Sequence, residues 1–176
     1  MKLTRGFAAG IALAAPAILL TMAASALPVH PTAASPPACG KSLETWFAPE
    51  GDGFAGGAGY VVEFSNTGKA TCTVKGYPTV KLTENGKQVG LKATHSSHAP
   101  ATVTLKRGQT AHVVLIIRDA GVICKPVPTN GLYVRPPGKT QASDFGLTAF
   151  GACRGKSTMG VYAISPGVGI PGFTIR

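Results

Sequence analysis

Four cysteines constrain the fold of this chain of 176 residues more than any other feature. They are Cys39, Cys72, Cys124 and Cys153, and all four follow an N-terminal stretch that has the features of an export leader. An even number of cysteines in an oxidising compartment predicts disulfide bonds rather than metal or redox chemistry. We therefore expect two disulfides in an exported domain. The cysteines carry no information about activity.

The predicted leader covers residues 1–26. Lys2 and Arg5 supply a positive start, an apolar run follows over residues 7–22, and Ala24-Ser25-Ala26 places small residues where a signal peptidase reads the chain. We predict cleavage after Ala26. The apolar run is also about long enough to span a bilayer, so an uncleaved membrane anchor is the alternative.

Three further segments follow the leader. Residues 27–38 contain four prolines among alanine, serine and threonine, which predicts a short extended linker. Residues 39–165 are long enough for one domain with a substantial core, so the disulfides assist that core rather than replace it. Residues 166–176 are rich in glycine and proline and predict an irregular tail, in which Phe173 and Ile175 could add an edge strand.

The chain is strongly basic. It carries 17 basic and 7 acidic residues, and removal of the leader leaves 15 and 7, a net charge of +8. Such a charge predicts attraction to anionic cell-wall polymers, anionic lipid head groups or nucleic acid. No more than two basic residues are adjacent and no aromatic residues alternate with them, which argues against nucleic acid. A basic exported domain without a specific anionic partner explains the same charge.

Short alternating runs of apolar residues, separated by turn residues, predict an all-β sandwich or barrel. The first predicted strand begins near Tyr60, and the last covers residues 161–164. Residues 110–118 form the most apolar run, which predicts a central strand covered on both faces over part of its length. Asn85-Gly86 between two alternating runs predicts a hairpin. The fold class we predict is all-β, an immunoglobulin-like β-sandwich of about seven to eight antiparallel strands with two disulfides.

Four cysteines allow three pairings, and the positions of the predicted strands favour one of them. A Cys39–Cys72 bond would tie the entering chain to the sheet, and a Cys124–Cys153 bond would close a loose proline-rich excursion. Each loop is long enough for a stabilisation of roughly 3.5 kcal/mol by the chain-entropy model.

Several motifs, in a fixed order, carry a resemblance to a known family. They are Gly56-Gly57-Ala58-Gly59, Phe64-Ser65-Asn66-Thr67-Gly68, Gln88-Val89-Gly90, Cys124-Lys125-Pro126 and the residues over 71–78, 104–111 and 132–138. With Cys39 before them and Cys153 after them, the chain resembles the secreted actinobacterial family catalogued as domain of unknown function 4232. The resemblance covers about residues 39–165. It implies an exported β-sandwich, often lipid-anchored or linked to the cell envelope, and it brings no established catalytic residues.

One aromatic cluster is a candidate ligand platform. Trp46, Phe47, Phe54 and Tyr60 lie close together in the sequence. If they are exposed, they could stack on sugar rings; if they are buried, they cap the sandwich. We favour burial.

The remaining polar candidates favour structural roles. His95 and His98 are the one pair with close spacing, and we interpret them as part of a solvated loop rather than as metal ligands. His112 lies on the apolar strand, which favours a satisfied core or edge histidine over a catalytic base. Glu50 and Asp52 lie in a predicted polar loop whose oxygen ligands are too few for calcium.

The sequence thus predicts a non-enzymatic binding or structural module of the bacterial cell envelope, secreted or cell-wall associated, with no catalytic residue, metal or cofactor. Its expected partners are anionic cell-wall polymers or another envelope protein, with no nucleic acid and no stable membrane span in the mature form. The alternative is a hydrolase acting on envelope polysaccharide or peptidoglycan, which requires paired carboxylates or a histidine with a carboxylate partner. A third possibility is a ligand for a protein partner that uses a sheet edge.

Overall fold

A computed structural model of the protein describes residues 34–139, 141–148 and 150–169. The predicted leader over 1–26, linker residues 27–33 and tail residues 170–176, with Phe173 and Ile175, lie outside the described residues. No helix in the described part is long and apolar enough to cross a membrane.

Strands dominate the described residues, which confirms the predicted all-β fold. Helical structure there is limited to the 3₁₀ turn Gly40–Ser42 and the four-residue α1 (Ala120–Ile123). Eight of the described strands have four or more residues, and the others have two or three. The strands are β1 (Leu43–Phe54), β2 (Gly57–Asn66), β3 (Cys72–Lys75), β4 (Thr79–Glu84), β5 (Lys87–Val89), β6 (Thr94–His95), β7 (Thr102–Leu105), β8 (Thr110–Arg118), β9 (Val127–Pro128), β10 (Gly131–Arg135), β11 (Ser143–Gly146), β12 (Gly151–Ala152), β13 (Met159–Val161) and β14 (Ser165–Pro166).

The strands form two main sheets and two small ribbons. The larger sheet has the order β1-β2-β8-β13-β6, and β14 pairs with a further part of β8. The second sheet has the order β11-β10-β4-β5, and the ribbons pair β3 with β7 and β9 with β12. Among the named strands, all these pairings are antiparallel except that of β13 with β6.

The inner faces of the two main sheets meet in one hydrophobic cluster. Alternate residues of β2 and β8, among them Phe64 and Leu115, pack in it with Leu82 of β4 and Leu132 of β10. These four side chains are almost fully removed from solvent. Burial of a side chain of this size contributes about 1.5–3 kcal/mol, so the core is a principal source of stability beside the disulfides.

Strand β8 is central, as the run over residues 110–118 predicts. It pairs with β2 along one edge and with β13 and β14 along the other. Four alternate side chains on its inner face are fully buried, and on the outer face Val114 and Ile116 are also buried while Arg118 is exposed. Cover on both faces over part of the strand is therefore confirmed.

The Asn85-Gly86 hairpin is also confirmed. Glu84 pairs with Lys87 at the ends of β4 and β5, so the loop between them has two residues. Asn85 has φ of 51° and Gly86 has φ of 75°. Two successive positive φ values give the turn the twist that flanking strands require, and asparagine and glycine adopt them at low cost.

The first strand of the structure is one that the sequence analysis missed. Residues Glu50 and Asp52, predicted in a loop, lie within the twelve-residue strand β1. The register to β2 shifts between Ala48 and Asp52, so Pro49 lies in a bulge. An edge strand tolerates proline and glycine at such a bulge because one side of its backbone needs no partner. The proline and glycines in this part of β1 are typical of turns, so the sequence predicted a loop where the structure has a strand.

The last predicted strand, over residues 161–164, is displaced in the structure. Strand β13 ends at Val161, and the backbone N–H of Tyr162 still donates to the carbonyl of Val114 at 2.9 Å. The N–H of Ile164 instead donates to the carbonyl of Gly76 at 3.2 Å. The chain turns away from β8 at Ile164 and pairs with it again from Ser165, which interrupts the alternation.

Two disulfides close the fold. They join Cys39 to Cys72 and Cys124 to Cys153, the pairs that the strand positions favour. The first ties the entering chain to β3, and a parallel bridge from Ala38 to Thr73 lies beside it. The second joins the end of α1 to the segment after β12, around the proline-rich excursion.

Candidate functional site

The four residues of the candidate aromatic platform divide between the core and the surface. Trp46 is 52% exposed and Phe54 is 39% exposed, whereas Tyr60 is 8% exposed and Phe47 is partly buried against the core. The alternation of β1 and β2 explains the division, because Phe47 and Tyr60 lie on inward-facing positions. The predicted burial thus describes Phe47 and Tyr60 but not Trp46 and Phe54. The four rings therefore do not form one platform.

The two inward rings belong to an aromatic cluster at one end of the core. The Phe47 ring centroid lies 5.7 Å from that of Tyr60 and 5.5 Å from that of Phe145, and Phe150 meets Tyr60 edge-on at 5.3 Å. Burial raises the pKa of the Tyr60 phenol above its ordinary value of 10.0. Phe145 and Phe150 were not predicted as part of this cluster, because about one hundred residues separate each of them from Phe47. The pairing of β11 with β10 positions Phe145, whereas Phe150 lies outside the strands.

Each histidine of the pair lies near a tyrosine ring. The ring of His95 stacks on that of Tyr77, with centroids 4.2 Å apart, and the ring of His98 lies 6.2 Å from that of Tyr162. The Tyr77 hydroxyl contacts the carbonyl oxygens of Ser96 and His98 and fixes the intervening loop. Within the described ranges, no group of three or more His, Cys, Asp or Glu residues could hold a metal ion.

His112 has a structural partner. It faces Glu63 across the β2–β8 pairing. His112 Nδ1 lies 3.0 Å from the carbonyl oxygen of Gly167, and a Glu63 carboxylate oxygen accepts a hydrogen bond of 2.7 Å from the N–H of Gly169. Residues 165–169, which we call the strap, thus run from the edge of β8, where β14 pairs with it, onto the outer face of the six-stranded sheet. The predicted role of His112 as a satisfied edge histidine agrees with this contact.

A groove of about 820 Å³ lies on the outer face of the same sheet, beside the end of β8. Strand β1 contributes Asp52 and Phe54, β8 contributes Ile116 and Arg118, and β6 contributes His95. Grooves of roughly 300–1,000 Å³ with apolar surface and a few convergent polar groups are the usual sites of small ligands. This is the foremost candidate site for a small ligand that the described residues offer.

Gly160 forms part of the groove floor. In the register of the sheet, Gly59 pairs with Ile116, Ile116 with Gly160, and Gly160 with Thr94. Two of these four outward positions therefore have no side chain. A Cβ placed on Gly160 would meet only atoms of Thr94, at 3.9 and 4.0 Å, so the space above it is open. Phe54 borders the floor, because its ring lies close to the backbone of Gly57.

Three ionisable side chains of the groove have free polar atoms. Asp52, His95 and Arg118 form no side-chain hydrogen bond or ion pair in the part of the chain that the structure describes. Asp52 and Arg118 are exposed. The hydroxyls of Thr94 and Ser157, by contrast, already contact the carbonyl of Met159. The groove therefore offers a carboxylate, an imidazole and a guanidinium to a ligand.

Carboxylates are sparse around this groove. Asp52 is the one carboxylate among the described residues that line it. Glu50 lies in the exposed bulge of β1. Asp119 caps α1, where its side chain accepts a hydrogen bond of 2.8 Å from the N–H of Gly121. The described lining residues include no second carboxylate of the kind that glycoside hydrolysis ordinarily uses.

A second candidate surface lies at the opposite end of β8, where three turns meet. The backbone N–H of Thr67 donates to the carbonyl of Ser42 at 2.9 Å, which joins the turn after β2 to the 3₁₀ turn. The N–H of Asn66 donates to the carbonyl of Gln109 at 2.9 Å, and the N–H of Gly108 returns a bond of 2.8 Å to the carbonyl of Asn66. These bonds hold the turns together.

The three turns carry cations. Exposed basic side chains extend from each of them: Lys41, Lys69, Lys106 and Arg107. The ammonium of Lys139 also reaches this end, where it donates to the carbonyl of Leu43. Residues 40–43, 67–71 and 106–109 contain no carboxylate. We call the surface formed by Lys41, Lys69, Lys106, Arg107 and Lys139 the basic end. No more than two basic residues are adjacent in the sequence, because the turns that carry them are far apart along the chain.

Comparison with known proteins gives a family but no characterised relative. A family model with the description Domain of unknown function (DUF4232) matches residues 39–164, which is more than two thirds of the chain. The matched segment contains both disulfides, the groove and the basic end. No curated protein matches the chain.

Proposed function

Since the chain belongs to the family described as Domain of unknown function (DUF4232), we propose a function for this member: it is an exported, non-enzymatic module of the bacterial cell envelope that binds anionic wall polymers through its basic end. The observation that carries the proposal is that Lys41, Lys69, Lys106 and Arg107 lie on turns joined by backbone hydrogen bonds, with the ammonium of Lys139 at the same end.

The disulfides support the location. All four cysteines are oxidised in the structure, and structural disulfides form and persist in secreted proteins and at cell surfaces rather than in the reducing cytosol. The leader predicted over residues 1–26 provides a route to that compartment. An envelope module outside the cytoplasm agrees with both.

The electrostatics of the basic end support the ligand class. Like charges on adjacent turns repel one another, and the four cations on these turns outnumber the one carboxylate that directly follows residues 40–43, Glu44. A polyanion relieves this repulsion and gains attraction from several cations at once. Each lysine or arginine near an anionic surface contributes about 1 kcal/mol, and added salt screens that contribution. Binding to a repeating anion is therefore the interaction that this end favours.

The groove supports a non-enzymatic role over the hydrolase alternative. A glycosidase uses two carboxylates, one as acid and one as base or nucleophile, whereas Asp52 is the one carboxylate found among the described lining residues. His95 also lines the groove, but its ring stacks on Tyr77. Within the described residues, no hydrogen bond or ion pair joins it to a carboxylate that would orient it as a catalytic base.

The experiment is retention of the purified protein on isolated bacterial cell walls at increasing salt. The test variant combines Lys69→Ser, Lys106→Ser and Arg107→Ser. The matched control combines Lys87→Ser, Arg154→Ser and Lys156→Ser, which removes the same charge from exposed positions beside β5 and β12.

We expect the wild type and the control to be retained at low salt and released as salt rises, and we expect the test variant to bind at least about tenfold more weakly. The proposal fails if the wild type is not retained at low salt, or if both variants lose binding equally. Release of reducing sugar or free amines from the walls would support the hydrolase instead.

A further inference from the structure

The groove and the basic end are separate surfaces. The basic end lies near Thr110, where β8 begins, and the groove lies beside Arg118, where β8 ends. Nine residues of strand span about 26 Å. A ligand of the groove is therefore recognised independently of the anionic polymer that we assign to the basic end.

The charges of the groove do not select a polyanion. Arg118 is the cation and Asp52 the anion among its described lining residues, so their formal charges cancel. Both are exposed and neither has a partner in the described structure. Groups of opposite charge that remain unpaired in one groove can offer both a donor and an acceptor to an uncharged polar ligand.

The groove also has apolar surfaces beside these charged groups. Phe54 borders the floor with part of its ring exposed, Ile116 lies in the floor, and the position of Gly160 leaves room above the sheet. A pyranose ring presents hydroxyls at its rim and C–H groups on its faces. The rim requires donors and acceptors such as Arg118, Asp52 and His95, and a C–H face packs against an aromatic ring.

We propose that this groove binds a neutral saccharide, a short oligosaccharide laid along the outer face of the six-stranded sheet with one ring against Phe54 and its hydroxyls on Asp52, His95 and Arg118. This site is additional to the function proposed above and does not depend on it.

An extended peptide is a poorer fit. Peptides that add to a sheet bind through free backbone N–H and C=O groups at its edge. The floor of this groove is a sheet face, and β8 and β13 each have partners on both sides. Recognition in the groove therefore rests on side chains and shape, which suits a ligand that carries its own hydroxyls.

The test is titration of the ¹⁵N-labelled full chain with chitotriose, a neutral trimer of N-acetylglucosamine, followed by amide chemical shifts. Shifts should concentrate at residues 52–54, 94–96, 116–118 and 157–162. Phe54→Ala and Arg118→Gln should each weaken binding about tenfold. Gly160→Val, which places methyl groups in the open space above the floor, should weaken it at least as much.

Two matched controls separate binding from folding. Trp46→Ala removes an exposed ring from the same strand outside the groove, and Gly146→Val adds the same methyl groups where nothing lies within 4 Å of a Cβ. Both should bind within twofold of wild type. If the amide spectrum of Phe54→Ala or Gly160→Val shows loss of fold, Arg118→Gln alone decides the test, because Arg118 is an exposed residue that the core does not require.

Three outcomes overturn the proposal: no shift with chitotriose at millimolar concentration, binding that Phe54→Ala, Arg118→Gln and Gly160→Val leave unchanged, or stronger shifts of the same residues with tetra-alanine. If the basic-end variant loses cell-wall retention but still binds chitotriose, the saccharide site is supported independently of the basic end. If the groove variants lose chitotriose binding but are still retained on cell walls, the two sites are likewise shown to be separate.

Discussion

The side-chain amide of Asn66 donates a hydrogen bond of 3.0 Å to the carbonyl oxygen of Leu105, thirty-nine residues away. Asn66 is fully buried. Its amide also donates to the carbonyl of Ala70 at 2.9 Å, and its side-chain oxygen accepts from the N–H of Gly68 at 2.9 Å. One asparagine thus joins the two turns that carry Lys69 and Arg107. The basic end depends on a buried polar contact as well as on its charges.

Replacement of this asparagine should be costly. Asn66→Ala removes three hydrogen bonds and leaves the buried carbonyl of Leu105 without its donor, which we expect to lower the free energy of unfolding by about 2–4 kcal/mol. Asn130→Ala is the control: its amide makes two hydrogen bonds to Asn85, but it is exposed and water can replace them. Denaturant unfolding measures both. A loss of less than about 0.5 kcal/mol for Asn66→Ala would contradict the role assigned to it.

The two disulfides should contribute similarly. They close loops with sequence separations of 33 and 29 residues, for which the chain-entropy model gives about 3.5–4 kcal/mol each. We expect each double cysteine-to-alanine variant to lose about that amount, out of a total stability of about 5–15 kcal/mol for a domain. Thermal and denaturant unfolding test this. Unchanged melting of either variant would show that its bond does not constrain the fold.

Stability should fall at alkaline pH because of Tyr60. Burial raises the pKa of its phenol above 10.0, so the folded state holds the proton more tightly than the unfolded state does. The corresponding stability is present below about pH 10 and declines as pH rises from there through the folded-state pKa. Tyr60→Phe should flatten the decline between pH 9 and pH 11 in denaturant unfolding. The control is Tyr133→Phe, on a half-exposed ring; an equal effect of both would refute the assignment.

The strap should be released by a single methyl group. A Cβ on Gly169 would overlap Cγ1 of Val61, so Gly169→Ala must move the strap away from β2. The N–H of Gly167 donates to the carbonyl oxygen of Thr110 at 2.9 Å, and we expect its hydrogen exchange to become faster. Exchange of the amides in the core of β8 should be unchanged. Gly146→Ala, in open space, is the control. Undisturbed exchange at Gly167 in the Gly169→Ala variant would mean that the strap is not held by this contact.

The sequence predicted the elements whose signals are local. The run over residues 110–118 alternates within nine residues, and Asn85-Gly86 encodes its own turn, so β8 and the β4–β5 hairpin could be read without knowledge of the rest of the fold. Strand β1 could not, because its bulge at Pro49 is tolerated only at a sheet edge and edges are decided by the whole topology.

The candidate surfaces depend on contacts between distant segments. The alternation of β1 could have separated Trp46 from Phe47 had that strand been recognised. Nothing along the chain shows that the turn carrying Lys69 lies beside the turn carrying Arg107, or that Asp52 shares a groove with Arg118, because both arrangements follow from strand register and turn packing. Charge spacing in the sequence therefore suggested dispersion where the fold produces a cluster.

The central claim is that the basic end binds repeating anions, and the most direct measurement is titration of the ¹⁵N-labelled protein with soluble poly(glycerol phosphate) at low salt. We predict amide shifts concentrated at residues 40–43, 66–70 and 106–109, which diminish as salt is added and disappear in the Lys69→Ser, Lys106→Ser, Arg107→Ser variant. Shifts spread evenly over the surface, or centred on Lys87 and Arg154, would contradict the claim.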